Sequence, residues 1–209
     1  MNREKITRLL ENHRPEPLGL DHRYAVLCAL VEVNGEIHVL FEKRSANLKS
    51  HTGEVSLPGG RIEEGETPEE AAFRETIEEL RIDPACLEIL GESDYLVTRQ
   101  SKAIHCFIGL LHGVDVAAID PEPAEVAYVF TVPLDLFLET EPEVHPIEFK
   151  KDKDDGFPYE LIPATTVAPF NNYIDRIFFY KGAEKKEQIV WGMTAKIMYG
   201  VAKLLKTLL

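Results

Sequence analysis

Residues 59–82 read GGRIEEGETPEEAAFRETIEELRI, two glycines followed by a block dominated by glutamate. Local rules divide that block. Thr67-Pro68-Glu69-Glu70 has the form of a capping box: the threonine hydroxyl accepts from the N–H three residues on, the glutamate reaches back, and proline takes the first helical position. Pro84 disfavours helical geometry in the residue before it, so a helix is predicted from about Pro68 to short of Asp83. At 100° per residue, Phe73, Ile77 and Leu80 share a narrow stripe, while Glu75, Glu78 and Glu79 share an arc of about 100° on the other side. The expectation is a helix with one core face and one carboxylate face.

Like charges at helical spacing repel by a few tenths of a kcal/mol per pair, so something should compensate. Water and nearby arginines suffice for a generic glutamate-rich helix. Here Gly59 and Gly60 follow Pro58 after a strand-like run, and glycines let the backbone turn tightly and bring a carbonyl oxygen toward the carboxylates. Carboxylates plus a carbonyl suit a hard divalent cation such as Mg²⁺ or Mn²⁺. Ala71, one turn before Glu75, is expected to leave room there for ions and a phosphate.

Strands flank this segment on both sides. YAVLCALVEV and EIHVLFEKR are β-rich runs joined by Asn34-Gly35, the dipeptide best suited to a two-residue hairpin. LEILGESDYLVT, AIHCFIGLL and AYVFTV read as further strands, PLDLFLE as a short helix, and RIFFYKG and EQIVWG as late strands. IEFKKDKDDGFPYELI reads as a hairpin, whose DKDDG tip at 152–156 lacks the alternate-position oxygens and later glutamate of a calcium loop. A peripheral helix is expected within residues 1–17, ended by the PEP at 15–17, and an amphipathic one at 193–208 carrying Ile197, Val201, Leu204 and Leu205 on one face. With no repeat and no long linker, the expectation is one domain over residues 1–209, of α/β (α+β) class: a mixed β-sheet with helices packed on it.

A chain of 209 residues that is 44% hydrophobic can bury one sizeable core. The net charge of −13 argues against holding nucleic acid or an anionic membrane through the overall field. An anionic substrate would need local neutralisation. Cys28, Cys86 and Cys106 show no CxxC spacing, which fits reduced thiols. The charged N-terminal segment is neither a signal peptide nor a membrane span, so a cytoplasmic protein is expected.

Gly60, five residues, Glu66, seven residues, Arg74-Glu75-Thr76, one residue, Glu78-Glu79, one residue, Arg81-Ile82: this spacing resembles the Nudix box of hydrolases of nucleoside-diphosphate-linked substrates. Every charged position of the pattern is present. The departure is Arg81, where glycine is usual. The resemblance implies the Nudix fold, with a catalytic loop-helix-loop at 59–83. It also implies Glu75, Glu78 and Glu79 as metal-binding carboxylates, the Gly59 carbonyl as a further ligand, and Glu66 with Arg74 as a supporting ion pair. The base could be a glutamate of this helix or one from a later loop, with Glu122, Glu125 and Glu143 the later candidates.

Upstream, LFEKRSANLKSHTGEVSLPGG, residues 40–60, is similar to the signature of the coenzyme A diphosphatase branch. Arg44, Ser45, Gly53 and Pro58-Gly59-Gly60 match. Glu42 stands where threonine is usual, Lys49 where arginine is, and Leu57 where phenylalanine is. Arg44, Ser45, Lys49 and Gly53 are thereby expected at the substrate, the two cations meeting its phosphates. The resemblance implies cleavage of coenzyme A or its derivatives to adenosine 3',5'-bisphosphate and 4'-phosphopantetheine, with Mg²⁺ or Mn²⁺ as cofactor and a homodimer as assembly. The alternatives are another nucleoside diphosphate derivative, such as ADP-ribose, or a non-catalytic nucleotide sensor.

Overall fold

The turn chosen by Asn34-Gly35 organises the centre of the molecule. Strands β1 (His22–Val33) and β2 (Glu36–Arg44) are antiparallel, with Val33 opposite Glu36. Between them Asn34 and Gly35 have φ of 53° and 86°, the doubly positive geometry that matches strand twist and that these two residues tolerate best. The structure, a computed structural model, describes residues 2–11, 17–150, 173–181 and 188–208, with His13, Pro158, Leu161 and Pro163.

β1 and β2 pair only from Leu30↔Val39 to Val33↔Glu36, then diverge. Two short strands take the freed edges: β3 (Val55–Ser56) pairs with Glu42 and Lys43, and β4 (Gly59–Arg61) pairs with Tyr24–Val26. The fork draws Gly59 and Gly60 into the sheet. On the other edge of β1 lies β7 (Lys102–Leu111), parallel to it, and β7 carries β5 (Leu87–Glu92) and β6 (Leu96–Val97) antiparallel. β8 (Val126–Pro133) closes the other side of β2. Among the described residues the result is a mixed eight-stranded sheet. As its central strand, β1 is buried on both faces almost continuously from Ala25 to Val31.

Helix α2 (Pro68–Leu80) starts as its capping box dictates: the Glu70 N–H donates to the Thr67 hydroxyl at 3.2 Å, and the Thr67 N–H to the Glu70 carboxylate at 2.8 Å. It ends on Arg81 in the left-handed conformation, φ 53° and ψ 42°, whose N–H donates to the Ile77 carbonyl. A side chain there strains the backbone by about 1 kcal/mol relative to glycine, and an exposed ion pair with Asp120 at 3.7 Å returns little. Arg81→Gly should therefore raise stability by about 1 kcal/mol in chemical unfolding. A loss of stability would show that the Asp120 contact outweighs the strain.

α2 lies on one face of the sheet, its Ala71, Ala72 and Leu80 packing with Ala25, Leu27, Ala29, Val31 and Leu40. The opposite face carries α3 (Leu134–Glu139) and α4 (Gly192–Leu205), with Phe137, Ala195, Met198 and Val201 on Cys28, Leu30, Val39 and Phe41. The expected mixed sheet between helices is what forms. α1 (Arg3–Glu11) buries none of its residues.

One expectation needs revision. Ala71 is wholly buried in the core instead of leaving space over Glu75, because the inward face of α2 runs through Ala71, Ala72, Thr76, Glu79 and Leu80 while Phe73 and Ile77 are half-buried. The hairpin expected over residues 147–162 lies largely outside the described residues, and its first residues are seen in a longer-range pairing. β9 (Glu143–Phe149) pairs with β10 (Tyr173–Tyr180), and β11 (Val190–Trp191) adds beyond it. Across this pair Phe149 stacks on Tyr173 at 4.8 Å. The DKDDG tip lies outside the described residues.

Candidate active site

Gly59 and Gly60 are held against α2 by contacts that only glycine permits. A Cβ on Gly59, whose φ is 142°, would run into the Ala25 carbonyl of β1, and one on Gly60 would fall on the Glu75 carboxylate. The Gly59 N–H donates to the Glu79 carboxylate at 2.7 Å. The three helix carboxylates are therefore graded, not equivalent. Glu79 is buried, Glu75 half-buried, and Glu78 exposed.

Arg74 ties this helix to the preceding loop. Its Nε and Nη2 donate to the two Glu66 oxygens at 2.8 and 3.0 Å, a bidentate pair. Glu66 also accepts from the Glu63 N–H at 2.9 Å, and the Arg74 guanidinium beside it holds its carboxyl below the ordinary range. The Arg74 Nη1 reaches Glu75 at 2.9 Å and Glu78 at 3.2 Å. One cation thus serves three carboxylates.

Deeper in, positive charge runs short. Burial pushes the Glu79 carboxyl up to about 7 against the opposing Gly59 N–H, with Glu75 and Glu125 adding to the rise and Arg44 resisting it. Burial also raises Glu75, with Arg74 opposing. Glu42 on β2, raised well above the carboxylate range by burial and then by Glu79, is wholly buried, and neither of its oxygens meets a hydrogen-bond donor. The native chain therefore holds protons that the unfolded chain releases. For Glu79 the associated stability is present below its ordinary value of 4.5 and is lost as pH rises through 7, a swing of about 3 kcal/mol. The melting temperature in chelator should fall between pH 5 and pH 8, and Mg²⁺ should reduce the fall. A melting temperature that rose over that interval would contradict the buried-carboxylate account.

Among the described residues, no group of three or more His, Cys, Asp and Glu side chains stands ready as a metal cage. Arg74 and the Gly59 N–H occupy the carboxylates in the bare chain. The donor set still fits a hard divalent cation: Glu75 and Glu79 present desolvated carboxylate oxygens beside a glycine turn, and Glu42 lies by Glu79.

Two recesses of about 570 and 420 Å³ meet at these carboxylates and share Glu75, Glu78, Glu79 and Glu125. Arg44 lines the larger, with Tyr24, Lys102, Ile104 and Met193. The other expected substrate residues lie elsewhere. Ser45 is buried, and its hydroxyl accepts from the Asn47 N–H. Lys49 is exposed and off the cleft wall, and Gly53 serves a turn at φ 66°. Of the later glutamates, Glu125 lines both recesses, Glu122 only the smaller, and Glu143 pairs with Lys181 at 2.6 Å on β9. Tyr24, Lys102 and Met193 carried no local signal. Glu42 did carry one: strand alternation within HVLFEKR puts it on the same face as buried Leu40.

Residues 21–153 match the NUDIX domain model. The chain is 30% identical over 182 residues to Nudix hydrolase 15, mitochondrial, of Arabidopsis thaliana, covering 86% of this chain and 57% of that protein. It is 40% identical over 113 residues to Nudix hydrolase 3 of Caenorhabditis elegans, covering 53% and 47%. It is 33% identical over 119 residues to the peroxisomal coenzyme A diphosphatase NUDT7 of Mus musculus, covering 56% and 49%. The chain spans about half the length of each of these three relatives. No helix among the described residues is long and apolar enough to cross a membrane. A family model matched over more than half of the chain, on a mixed sheet whose glycine turn meets a capped, glutamate-bearing helix, places the protein in the Nudix family.

Proposed function

We propose that the protein is a Mg²⁺- or Mn²⁺-dependent hydrolase that cleaves the diphosphate of coenzyme A or its derivatives to adenosine 3',5'-bisphosphate and 4'-phosphopantetheine. The observation that carries the reading is the convergence of Glu75 and Glu79 on Gly59-Gly60 at the wall of a cleft that also bears Arg44. A bound cation would neutralise the diphosphate and lower the pKa of a water. Glu75, Glu78, Glu79 and the Gly59 carbonyl would hold it, and the Glu66–Arg74 pair would keep the loop and helix in register. Arg44 would meet a phosphate, a charge a −13 protein must supply locally. Glu125, the later-loop glutamate on the walls of both recesses, is the candidate to orient or deprotonate the attacking water. Coenzyme A as substrate is supported by the residue pattern from Leu40 to Gly60 and by similarity to the mouse enzyme.

The test gives purified protein Mg²⁺ or Mn²⁺ with coenzyme A, acyl-CoA, ADP-ribose and NADH in parallel. Coenzyme A or acyl-CoA should show the highest kcat/KM. Preference for ADP-ribose would sink the substrate assignment, and nucleotide binding without metal-dependent turnover of any compound would identify a sensor.

A further inference from the structure

Glu42 is unusual among the buried residues of the sheet. It sits mid-strand in β2, opposite Ser56 on one side and Val129 on the other, on the face that α2 covers. It is wholly buried, with both carboxylate oxygens unpartnered. Glu79 is close enough to raise the Glu42 carboxyl by charge and by a side-chain hydrogen bond, which only a proton held by one of the two can supply. Arg44 is the neighbouring cation, and its buried Nε also lacks an acceptor, so it is not turned to satisfy Glu42. Leaving a carboxylate in this state is strongly unfavourable, and native proteins resolve such groups with a partner. A proton shared with Glu79, whose Oε2 accepts from the Gly59 N–H, would still leave one Glu42 oxygen unmet. A divalent cation would engage both carboxylates.

We propose that Glu42 is a further cation-binding carboxylate of this site, contributed by the sheet beside the helix carboxylate Glu79. The proposal rests on the cation-dependent reading above. It makes the site a product of the fork between β1 and β2 as well as of α2. The pattern that residues 40–60 resemble usually has threonine where Glu42 stands. An additional anionic ligand should tighten divalent binding and favour more than one ion in the site.

Mn²⁺ titration followed by the electron paramagnetic resonance of the free ion, without substrate, tests this on wild type, Glu42→Gln, Glu42→Thr and Glu79→Gln. Melting temperatures with and without Mn²⁺ are recorded in parallel. Both Glu42 variants should bind Mn²⁺ at least about tenfold more weakly, or lose one ion, and should lose part of the Mn²⁺-induced rise in melting temperature. Glu42→Thr carries the test if Glu42→Gln fails to fold. Wild-type affinity and stoichiometry in the Glu42 variants, with Glu79→Gln weakened, would overturn the proposal alone. Unchanged binding in Glu79→Gln as well would overturn the cation reading on which it rests.

Discussion

Alanine at Gly60 should disable the site and spare the fold, whereas alanine at the adjacent Gly59 should damage the fold itself. At Gly60 the new methyl would fall on the Glu75 carboxylate, the far end of a flexible side chain that can swing aside. The fold loses little when it does. The site loses one of its two sheltered carboxylates, and because a catalytic cation contributes several kcal/mol, kcat/KM should fall on the order of 10²- to 10³-fold. At Gly59 the methyl would meet the Ala25 carbonyl and Val26 Cα, which are backbone, at a φ of 142° that side chains rarely adopt. β4 would have to part from β1, and the N–H that serves Glu79 would move with it. Strain and overpacking together should remove about 3 kcal/mol or more of stability. Chemical unfolding and Mg²⁺-dependent turnover of both variants check the contrast. Wild-type turnover in Gly60→Ala would show that the Glu75 position is immaterial to the chemistry.

Glu79→Gln should have an effect at least as large, of the opposite structural character. Glutamine keeps the shape, and its carbonyl oxygen can still accept from the Gly59 N–H, so the turn is retained. What disappears is a buried negative charge. Metal-free protein should become more stable at pH 8, where wild-type Glu79 is ionised against its burial. Turnover should fall on the order of 10³-fold or more, with the Mg²⁺ concentration for half-activity rising. A variant that loses activity and stability together would point to a packing role for Glu79 instead.

How much of this was legible in the sequence depended on how local each feature is. Thr67-Pro68-Glu69-Glu70 and Asn34-Gly35 act within a few residues, and both form the cap and turn they encode. Arg81 was legible as a misfit, and the structure shows why: the helix leaves through the left-handed geometry that glycine would take without strain. Periodicity alone misjudged α2, because a helical wheel separates apolar from charged residues but does not know what covers each side. The β1–β2 fork brings Gly59 over Glu79 and buries it, and the same packing buries Ala71. The β9–β10 pairing joins segments more than twenty residues apart, beyond any local turn signal. Ser45 matched a pattern, yet its hydroxyl is used within its own turn. Glu42 was visible as a charge in an apolar strand, but the identity of the groups facing it comes only from the fold.

The proposed chemistry depends on a divalent cation held between α2 and the Gly59-Gly60 turn. Its most direct test is coenzyme A hydrolysis by chelator-treated protein as Mg²⁺ is restored, with adenosine 3',5'-bisphosphate quantified. No product should form in chelator, wild type should recover saturably with Mg²⁺, and Glu79→Gln should not recover over the same range. Product formation that persists in chelator, or recovers equally in Glu79→Gln, would contradict that dependence.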